Sequence, residues 1–187
     1  AEKGHGGITC GSETAGMIRN LYVHDCVFDG TGTGLRFKTR RNRGGGGENL
    51  IYERIRMRLS GQPFVWDMLG SKTFVGDLAI RHPARELTPL TPSYKNIIAR
   101  DIIVEECPQL IKAVGIPETP IENVLIENVT AHCKNLIRLQ DVDGFTLRNM
   151  TIYSRDSLIT IDDSRNVLFD RVKFEAVSYT HLTLPTT

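Results

Sequence analysis

The clearest pattern in the chain is a unit of nine positions that recurs along most of its length. Five of its six copies begin with Asn and one with Gly, and the apolar residues then alternate, skip one position and alternate again, as in the segment from Asn123 to Ala131. Alternation interrupted by one extra residue indicates two short strands joined by a corner rather than a helix. The six copies start at Asn20, Asn49, Asn96, Asn123, Gly144 and Asn166. Their starts lie 29, 47, 27, 21 and 22 residues apart, and repeats of this length are typical of a solenoid.

A third apolar strand follows five of these copies, about thirteen to fifteen residues after the first position of the copy. These strands cover residues 35–38, 64–67, 110–114, 136–140 and 158–162. Coils of this kind bury their inward residues only against neighbouring coils, so the pattern predicts an all-β, right-handed parallel β-helix. The repeated Asn predicts a ladder of side-chain hydrogen bonds along one corner. A doubly wound α/β fold is disfavoured because no segment keeps a 3.6-residue period over three turns.

One interval is much longer than the others, and the end of the chain departs from the repeat. The longest interval contains an insertion, Gly70 to Ser93, with prolines at positions 83, 89 and 92. We expect this insertion to leave the solenoid as a loop that frames a groove. The coils are predicted to occupy residues 1–176, and residues 177–187 contain no further coil pattern, so we expect them to be a non-native or disordered tail.

Composition excludes several classes of function. The 187 residues are 40% hydrophobic, which allows a core, and the net charge of +1 does not favour nucleic acid as a partner. No apolar run approaches the roughly 20 residues of a membrane-spanning helix. The four cysteines, at positions 10, 26, 107 and 133, show no close pairing and no metal-ligand spacing with His, so we predict buried free thiols and no metal site.

Local charge points to an anion site. Arg36 and Lys38 stand two positions apart in a predicted strand and therefore project from the same face. Upstream, Gly4-His5-Gly6 places an imidazole between residues whose bare backbone allows close approach. Each feature alone is also typical of a solvated face or a turn, and only the combination indicates a site. Further cations follow at Arg40, Arg41 and Arg43, which either contact the same anion or form a solvated loop.

These motifs resemble the polygalacturonase-type glycoside hydrolases of family 28, which carry a Gly-His-Gly and then an Arg-Ile-Lys. Phe37 stands here in place of the Ile, and the linking segments at positions 11–13, 19–20 and 39–41 also resemble bacterial members. The resemblance runs from about Gly4 to Phe174 and implies a β-helix of the pectin-lyase-like type. In the family, an Asn-Thr-Asp segment and an Asp-Asp pair precede the Gly-His-Gly and supply the general acid and the base. Because these segments would fall upstream of Ala1, we expect a truncated, C-terminal part of a bacterial member that is inactive by itself.

The resemblance also implies a function and its residues. The intact enzyme would hydrolyse α-1,4 galacturonosyl bonds in pectin or polygalacturonate with inversion, and the insertion favours exo action. His5 is the expected catalytic residue, tuning the protonation of the acid pair, while Arg36, Lys38 and Arg40 are expected to bind the substrate carboxylate. No metal, cofactor, nucleic acid or membrane is expected to take part. The resemblance further implies a monomer that is secreted or periplasmic.

Two other functions remain open, and several further residues are candidates for supporting roles. The chain is alternatively a non-catalytic β-helix that binds acidic polysaccharide, or part of a hydrolase of rhamnose- or xylose-substituted galacturonan. A β-helix lyase is disfavoured because its calcium-binding acids and arginine base are not found. Ser12 and Glu13 are expected to support the loop or contact ligand, and Asp67 faces the groove in this interpretation. The pair Asp162-Asp163 is predicted to form a turn, and His24, His82 and His132 are predicted to be surface or packing residues.

Overall fold

The computed structural model describes residues 3–177, which form ten strands and little helix. The strands are β1 (Ile8–Cys10), β2 (Ile18–Thr31), β3 (Leu35–Lys38), β4 (Gly46–Leu59), β5 (Phe64–Asp67), β6 (Ser93–Val114), β7 (Ile121–Gln140), β8 (Val142–Ser154), β9 (Ile159–Asp162) and β10 (Arg165–Ala176). The helix α1 (Lys72–Val75) is followed by a single 3₁₀ turn, Gly76–Ala79. Apart from Val177, the tail predicted at 177–187 lies outside the described residues.

Every pairing between these strands is parallel. One series runs β2, β4, β6, β7, β8 and β10, and the other runs β1, β3, β5, β6, β7 and β9. Strands β6 and β7 take part in both series because each continues around a corner of the coil. This is a parallel β-helix, as the repeat predicts, and parallel crossovers are right-handed in nearly all proteins. The doubly wound alternative requires long helices, and the described part of the chain has one helix of four residues.

Each copy of the repeat bends at two residues in the left-handed conformation, five positions apart. The first of the two is the repeated Asn, or Gly144, with φ between 50° and 76°. The second bend is at Asp25, Arg54, Asp101, Asn128, Asn149 and Arg171, with φ between 51° and 56°. Asn, Asp and Gly tolerate this conformation better than other residues, which explains why they dominate the corners. The sequence predicted one corner per copy. The structure instead has two, one at each left-handed residue.

The repeated Asn side chains form the predicted ladder. Asn49 donates from Nδ2 to Oδ1 of Asn20 at 3.3 Å, Asn96 donates to Asn49 at 3.1 Å, and Asn123 donates to Asn96 at 3.2 Å. Gly144 interrupts the ladder but keeps the corner, because it has a φ of 76° and no side chain. The ladder therefore holds the corners of successive coils in register.

Aromatic side chains fill the interior beneath β3 and β5. Phe37 stacks on Trp66 with ring centroids 4.7 Å apart, and Tyr52 meets the edge of Phe37 at 5.6 Å. Trp66 in turn contacts Phe145 at 5.6 Å, and all four rings are fully buried. Burying a ring of this size contributes about 4 kcal/mol or more from its area alone. Strand β3, which carries Arg36 and Lys38 outward, thus rests on a rigid base.

The insertion between β5 and β6 is a loop that is fixed to the solenoid. Arg81 binds the carboxylate of Asp141 through two hydrogen bonds of 2.8 Å, and Asp141 is only 2% exposed. Thr119 also donates to the carbonyl of Pro92 at 2.7 Å. These contacts hold the loop against one edge of the coils, as its predicted role in framing a groove requires.

The four cysteines are free thiols, of which Cys10, Cys107 and Cys133 are buried and Cys26 is half-buried. Burial raises the pKa of the Cys10 thiol, although its hydrogen bond with Tyr52 opposes that effect. The sequence predicted free thiols, as observed, but did not reveal that Cys107 and Cys133 are opposite each other in β6 and β7. Sequence spacing missed this pair because the two positions lie in different coils.

No helix in residues 3–177 is long and apolar enough to cross a membrane. In the same range, no group of three or more His, Cys, Asp or Glu side chains is arranged to hold a metal ion.

We predict that Asn96→Ala destabilises the protein by about 3–4 kcal/mol. The substitution removes two ladder hydrogen bonds, each contributing about 1 kcal/mol, and forces Ala into a left-handed conformation that costs about 1–2 kcal/mol. Urea denaturation followed by circular dichroism measures the change. Asn96→Gly is the matched control, since it loses the ladder but tolerates the conformation, and it should be the milder of the two. A glycine variant that is less stable than the alanine variant would contradict this account of the corner.

Candidate functional site

Strand β3 places two cations on the outer surface of the coil. Leu35 and Phe37 point inward and are fully buried, so Arg36 and Lys38 project outward between them. Parallel pairing sets Arg36 beside Thr9 of β1 and Lys38 beside Asp67 of β5. The alternation predicted from the sequence is therefore observed at this strand.

His5 lies in contact with Arg36. Its Nε2 is 3.3 Å from the NH1 atom of the guanidinium. A guanidinium can only donate, so Nε2 accepts this hydrogen bond and the imidazole proton is on Nδ1. The structure thus brings together the two sequence motifs, 31 positions apart in the chain, in one hydrogen bond.

The backbone around His5 is held by close contact with the next coil. The N–H of Gly32 donates to the carbonyl of Gly4 at 2.9 Å, and the N–H of Gly7 donates to the carbonyl of Thr33 at 2.8 Å. A Cβ atom at position 32 would lie 2.6 Å from the His5 carbonyl oxygen, so only glycine fits there. This contact sets the position of the His5 loop relative to β3.

Arg36, Lys38 and Arg40 line one cleft with a volume of about 380 Å³. We call it the cationic cleft; its other charged residues are Arg43, Glu13 and Asp67, and Phe74 of α1 lines the side formed by the insertion. Four cations against two carboxylates leave the cleft electropositive, and an electropositive concave surface attracts anions. Lys38 and Arg40 make no side-chain hydrogen bond or ion pair within residues 3–177, so both charges remain open to a ligand.

The two carboxylates of the cleft are already engaged. Oδ1 of Asp67 accepts the N–H groups of Leu69 at 3.1 Å and Gly70 at 2.9 Å, which closes the turn that leaves β5. Glu13 forms an ion pair with Arg43. Asp67 therefore has one oxygen committed to this turn, and Glu13 is paired with a cation of the cleft.

The three arginines that follow β3, at positions 40, 41 and 43, have different roles. Arg41 turns inward and binds Glu118 through two hydrogen bonds of 2.6 and 2.8 Å, with side chains 6% and 3% exposed. Burial raises the pKa of Glu118, but the hydrogen bonds from Arg41, a backbone hydrogen bond and the charges of Arg41 and Arg85 together place that pKa below its ordinary value. Of the cations at 40, 41 and 43, only Arg40 is left unpaired in the cleft, and the alternative of anion contact by Arg41 is wrong.

Two residues that shape the site, Phe74 in the cleft and Tyr94 in the core beneath β3, were not identified from the sequence. Phe74 is 80% exposed and lines the cleft. The sequence did not indicate this role, because the proline-rich insertion that carries Phe74 shows no periodicity. Tyr94 is buried, and its hydroxyl lies 2.9 Å from the carbonyl of Cys10 and 3.1 Å from that of Lys38. Tyr94 thereby fixes the ends of β1 and β3, and burial raises the pKa of its hydroxyl, which keeps it a donor. The sequence signal that could have indicated this role is the position of Tyr94, which points inward two residues before the corner at Asn96.

The remaining candidates lie away from the cleft. His24 stacks on Tyr22 at 4.7 Å, His132 stacks on Tyr153 at 4.5 Å, and Nε2 of His82 is 3.1 Å from the Asp77 carbonyl. Asp162 ends β9, and Asp163 follows it in a left-handed turn and pairs with Arg81 at 3.3 Å. The histidines thus have the predicted packing roles, and the acid pair lies at the predicted turn.

The fold and this surface define a parallel β-helix protein with a cationic cleft on the outside of its coils. Similar sequences are found among polygalacturonases. The chain is 43% identical to a polygalacturonase of Ralstonia nicotianae and 41% identical to one of Ralstonia solanacearum, in each case over 34% of this chain and 13% of the relative. It is 30% identical to a "Probable polygalacturonase" of Vitis vinifera over 67% of this chain and 24% of that protein. The predicted resemblance to the polygalacturonase-type family is confirmed by these similarities.

The extent of these matches is limited. The aligned part of the chain spans between about one eighth and one quarter of the length of these relatives. No family model matches the chain. A solved structure described as "Structure of Yersinia enterocolitica Family 28 Exopolygalacturonase" aligns with 94% of this chain and 29% of its own, at 20% identity and a TM-score of 0.41. The fold described above follows from the strand registers and not from this likeness.

We predict that Arg41→Ala destabilises the protein by about 3 kcal/mol, because it leaves the buried carboxylate of Glu118 without its partner. Urea denaturation at neutral pH measures this change. Arg40→Ala is the control, since it removes the same charge from the adjacent, unpaired position and should leave stability nearly unchanged. If both variants unfold at the same urea concentration as the unmodified chain, Arg41 has no anchoring role.

Proposed function

We propose that this chain supplies the substrate-anchoring part of a glycoside hydrolase that cleaves α-1,4 galacturonosyl bonds of pectin or polygalacturonate with inversion. The observation that carries the proposal is the meeting of His5 and Arg36 at the edge of a cleft that also presents Lys38 and Arg40. The sequence relatives, which are named polygalacturonases, support this choice of substrate. A polymer of galacturonate carries one carboxylate on each sugar, and the unpaired cations of the cleft are suited to bind it.

Each residue has a distinct role in this proposal. Arg36 binds a substrate carboxylate through a two-pronged hydrogen bond, and Lys38 and Arg40 add charge around it. His5 accepts from Arg36 through Nε2, so its Nδ1 proton is available to a neighbouring carboxylate. Through that hydrogen bond His5 tunes the protonation of the acid pair.

Inverting hydrolysis requires two carboxyl groups roughly 6.5–9.5 Å apart, one as acid and one as base. Because Glu13 and Asp67 are engaged elsewhere, we propose that the pair comes from the Asn-Thr-Asp and Asp-Asp segments that precede the Gly-His-Gly in the family. The 187 residues alone are then inactive, and a longer protein that includes those segments is the enzyme. In this proposal the protein is a monomer that acts outside the cell or in the periplasm.

The same engagement of Glu13 and Asp67 favours a second function. A β-helix that presents cations but no free carboxylate pair binds acidic polysaccharide without cleaving it. Restoring the upstream segments separates the two functions, since a binding protein remains inactive when they are present.

In the longer protein, we predict that His5→Ala and Lys38→Ala each lower kcat/KM on polygalacturonate by about 100-fold. Loss of a proton-tuning group or of a charge that orients substrate has effects of this order. Release of reducing ends measures the rate, and the anomeric proton signal of the first product reports inversion. The 187-residue chain assayed beside it should show no turnover.

Lys95→Ala is the matched control for that experiment, because Lys95 is paired with Glu48 on a different face of the coils at 3.3 Å. It should leave kcat/KM unchanged. Turnover that survives both the His5 and the Lys38 substitution would contradict the assigned roles. Activity absent from the longer protein, with folding verified, would favour the binding function.

We further propose exo action, in which the insertion closes one end of the groove. Its α1 helix places Phe74 over the cleft, and Arg81 holds the loop to Asp141. Arg81→Ala in the longer protein should loosen this wall and shift the products from monomers and dimers toward longer oligomers. Chromatography of early products measures the shift, and a wild-type product pattern that already contains long oligomers would exclude exo action.

A further inference from the structure

The strand registers place two more cations in line with Arg36. The outward positions paired across β1, β3, β5, β6, β7 and β9 are Thr9, Arg36, Val65, Lys112, Arg138 and Thr160. We call Arg36, Lys112 and Arg138 the cation row. Neighbouring strands lie about 4.8 Å apart, so the row extends about 14 Å along the solenoid axis from the cationic cleft.

Elsewhere on the solenoid, outward cations are neutralised by a carboxylate of the adjacent coil. Arg100 pairs with Glu53 at 2.7 Å, and Arg165 pairs with Asp143 at 2.8 Å. Ladders of alternating charge are therefore the rule on the other faces. In contrast, none of the six paired positions in line with the cation row carries a carboxylate.

The charges of the row have no ion-pair partner within the described residues. Arg138 donates from NH2 to Oε1 of Gln140 at 3.4 Å, which leaves its charge intact. Lys112 makes no side-chain hydrogen bond or ion pair in residues 3–177. The protein itself thus leaves two cations of adjacent coils facing solvent.

Without a bound anion, the two charges raise the free energy of the folded protein. Lys112 and Arg138 are directly opposite each other in β6 and β7, and like charges at opposite positions of paired strands repel. An anion bound between them replaces this repulsion with two attractions. Lys112 is half-buried and Arg138 is exposed, so an anion can reach the two charges from the solvent side.

We propose that Lys112 and Arg138 form a second subsite that binds a carboxylate of a linear acidic glycan whose preceding sugars occupy the cationic cleft. This inference rests on the proposed function and extends it to the polymer beyond the cleavage site. A glycan is favoured over single-stranded nucleic acid because the outward row carries no aromatic residue on which bases could stack. Continuity with the cleft makes one extended chain the occupant.

The test is the length dependence of binding to the 187-residue chain, measured by isothermal titration calorimetry at low ionic strength. The ligands are the dimer and the hexamer of α-1,4 galacturonate. We expect the hexamer to bind more tightly than the dimer. Lys112→Gln and Arg138→Gln should each weaken hexamer binding about threefold, as expected for exposed charge pairs. Neither substitution should change dimer binding, and Lys95→Gln, on another face, should change neither.

The outcomes separate this inference from the proposed function. Dimer binding that is lost in Lys38→Ala, with hexamer binding unaffected by both Gln variants, keeps the cleft and overturns the second subsite. Equal weakening of dimer and hexamer by the Gln variants overturns it too, because the row would then be part of the cleft. A failure of the dimer to bind counts against the proposed function itself.

One further comparison decides the class of ligand. A single-stranded oligothymidylate of matched charge should compete poorly with the hexamer. Equal competition would show attraction to any polyanion and would overturn the assignment to an acidic glycan. Circular dichroism and urea midpoints equal to those of the unmodified chain establish that each variant is folded.

Discussion

The structure depends on the left-handed corners that recur twice in every coil. Because each copy bends at the same two positions, successive strands stack in parallel register and every inward position meets its equivalent in the next coil. Asn is suited to the first corner for two reasons: it tolerates the conformation, and its amide can both donate and accept along the axis. Where Gly144 replaces it, the bend survives and the hydrogen bond does not. Backbone conformation is therefore the stricter requirement.

Regular stacking has a consequence for the outer surface, where equivalent positions form continuous rows. On most faces the rows alternate in charge, so that coil-to-coil ion pairs support the same register as the core. The row formed by Arg36, Lys112 and Arg138 differs, because no carboxylate stands at the positions paired with them. This uncompensated row is the surface to which we assign the second subsite.

The cationic cleft combines this regular face with irregular elements. Strand β3 provides Arg36 and Lys38 over an aromatic base that cannot easily move. The His5 loop, the turn at 40–43 and the insertion surround them, each fixed by a specific contact. Arg41 has a structural role in this arrangement, because its buried ion pair with Glu118 holds the turn that presents Arg40 in the cleft.

The sequence by itself determined the repeat, the β-helix, the Asn ladder and the outward direction of Arg36 and Lys38. These features follow from local periodicity and from the conformational preference of single residues, both of which can be read along the chain. Only the tertiary structure decided that Arg41 is buried while Arg40 is not, that Cys107 meets Cys133, and that Lys112 and Arg138 continue the line of Arg36. Coils of unequal length, one with a long insertion, bring together residues at irregular separations. Which residues become neighbours is set by hydrogen-bonded register between coils, and periodicity reports only whether a side chain points in or out.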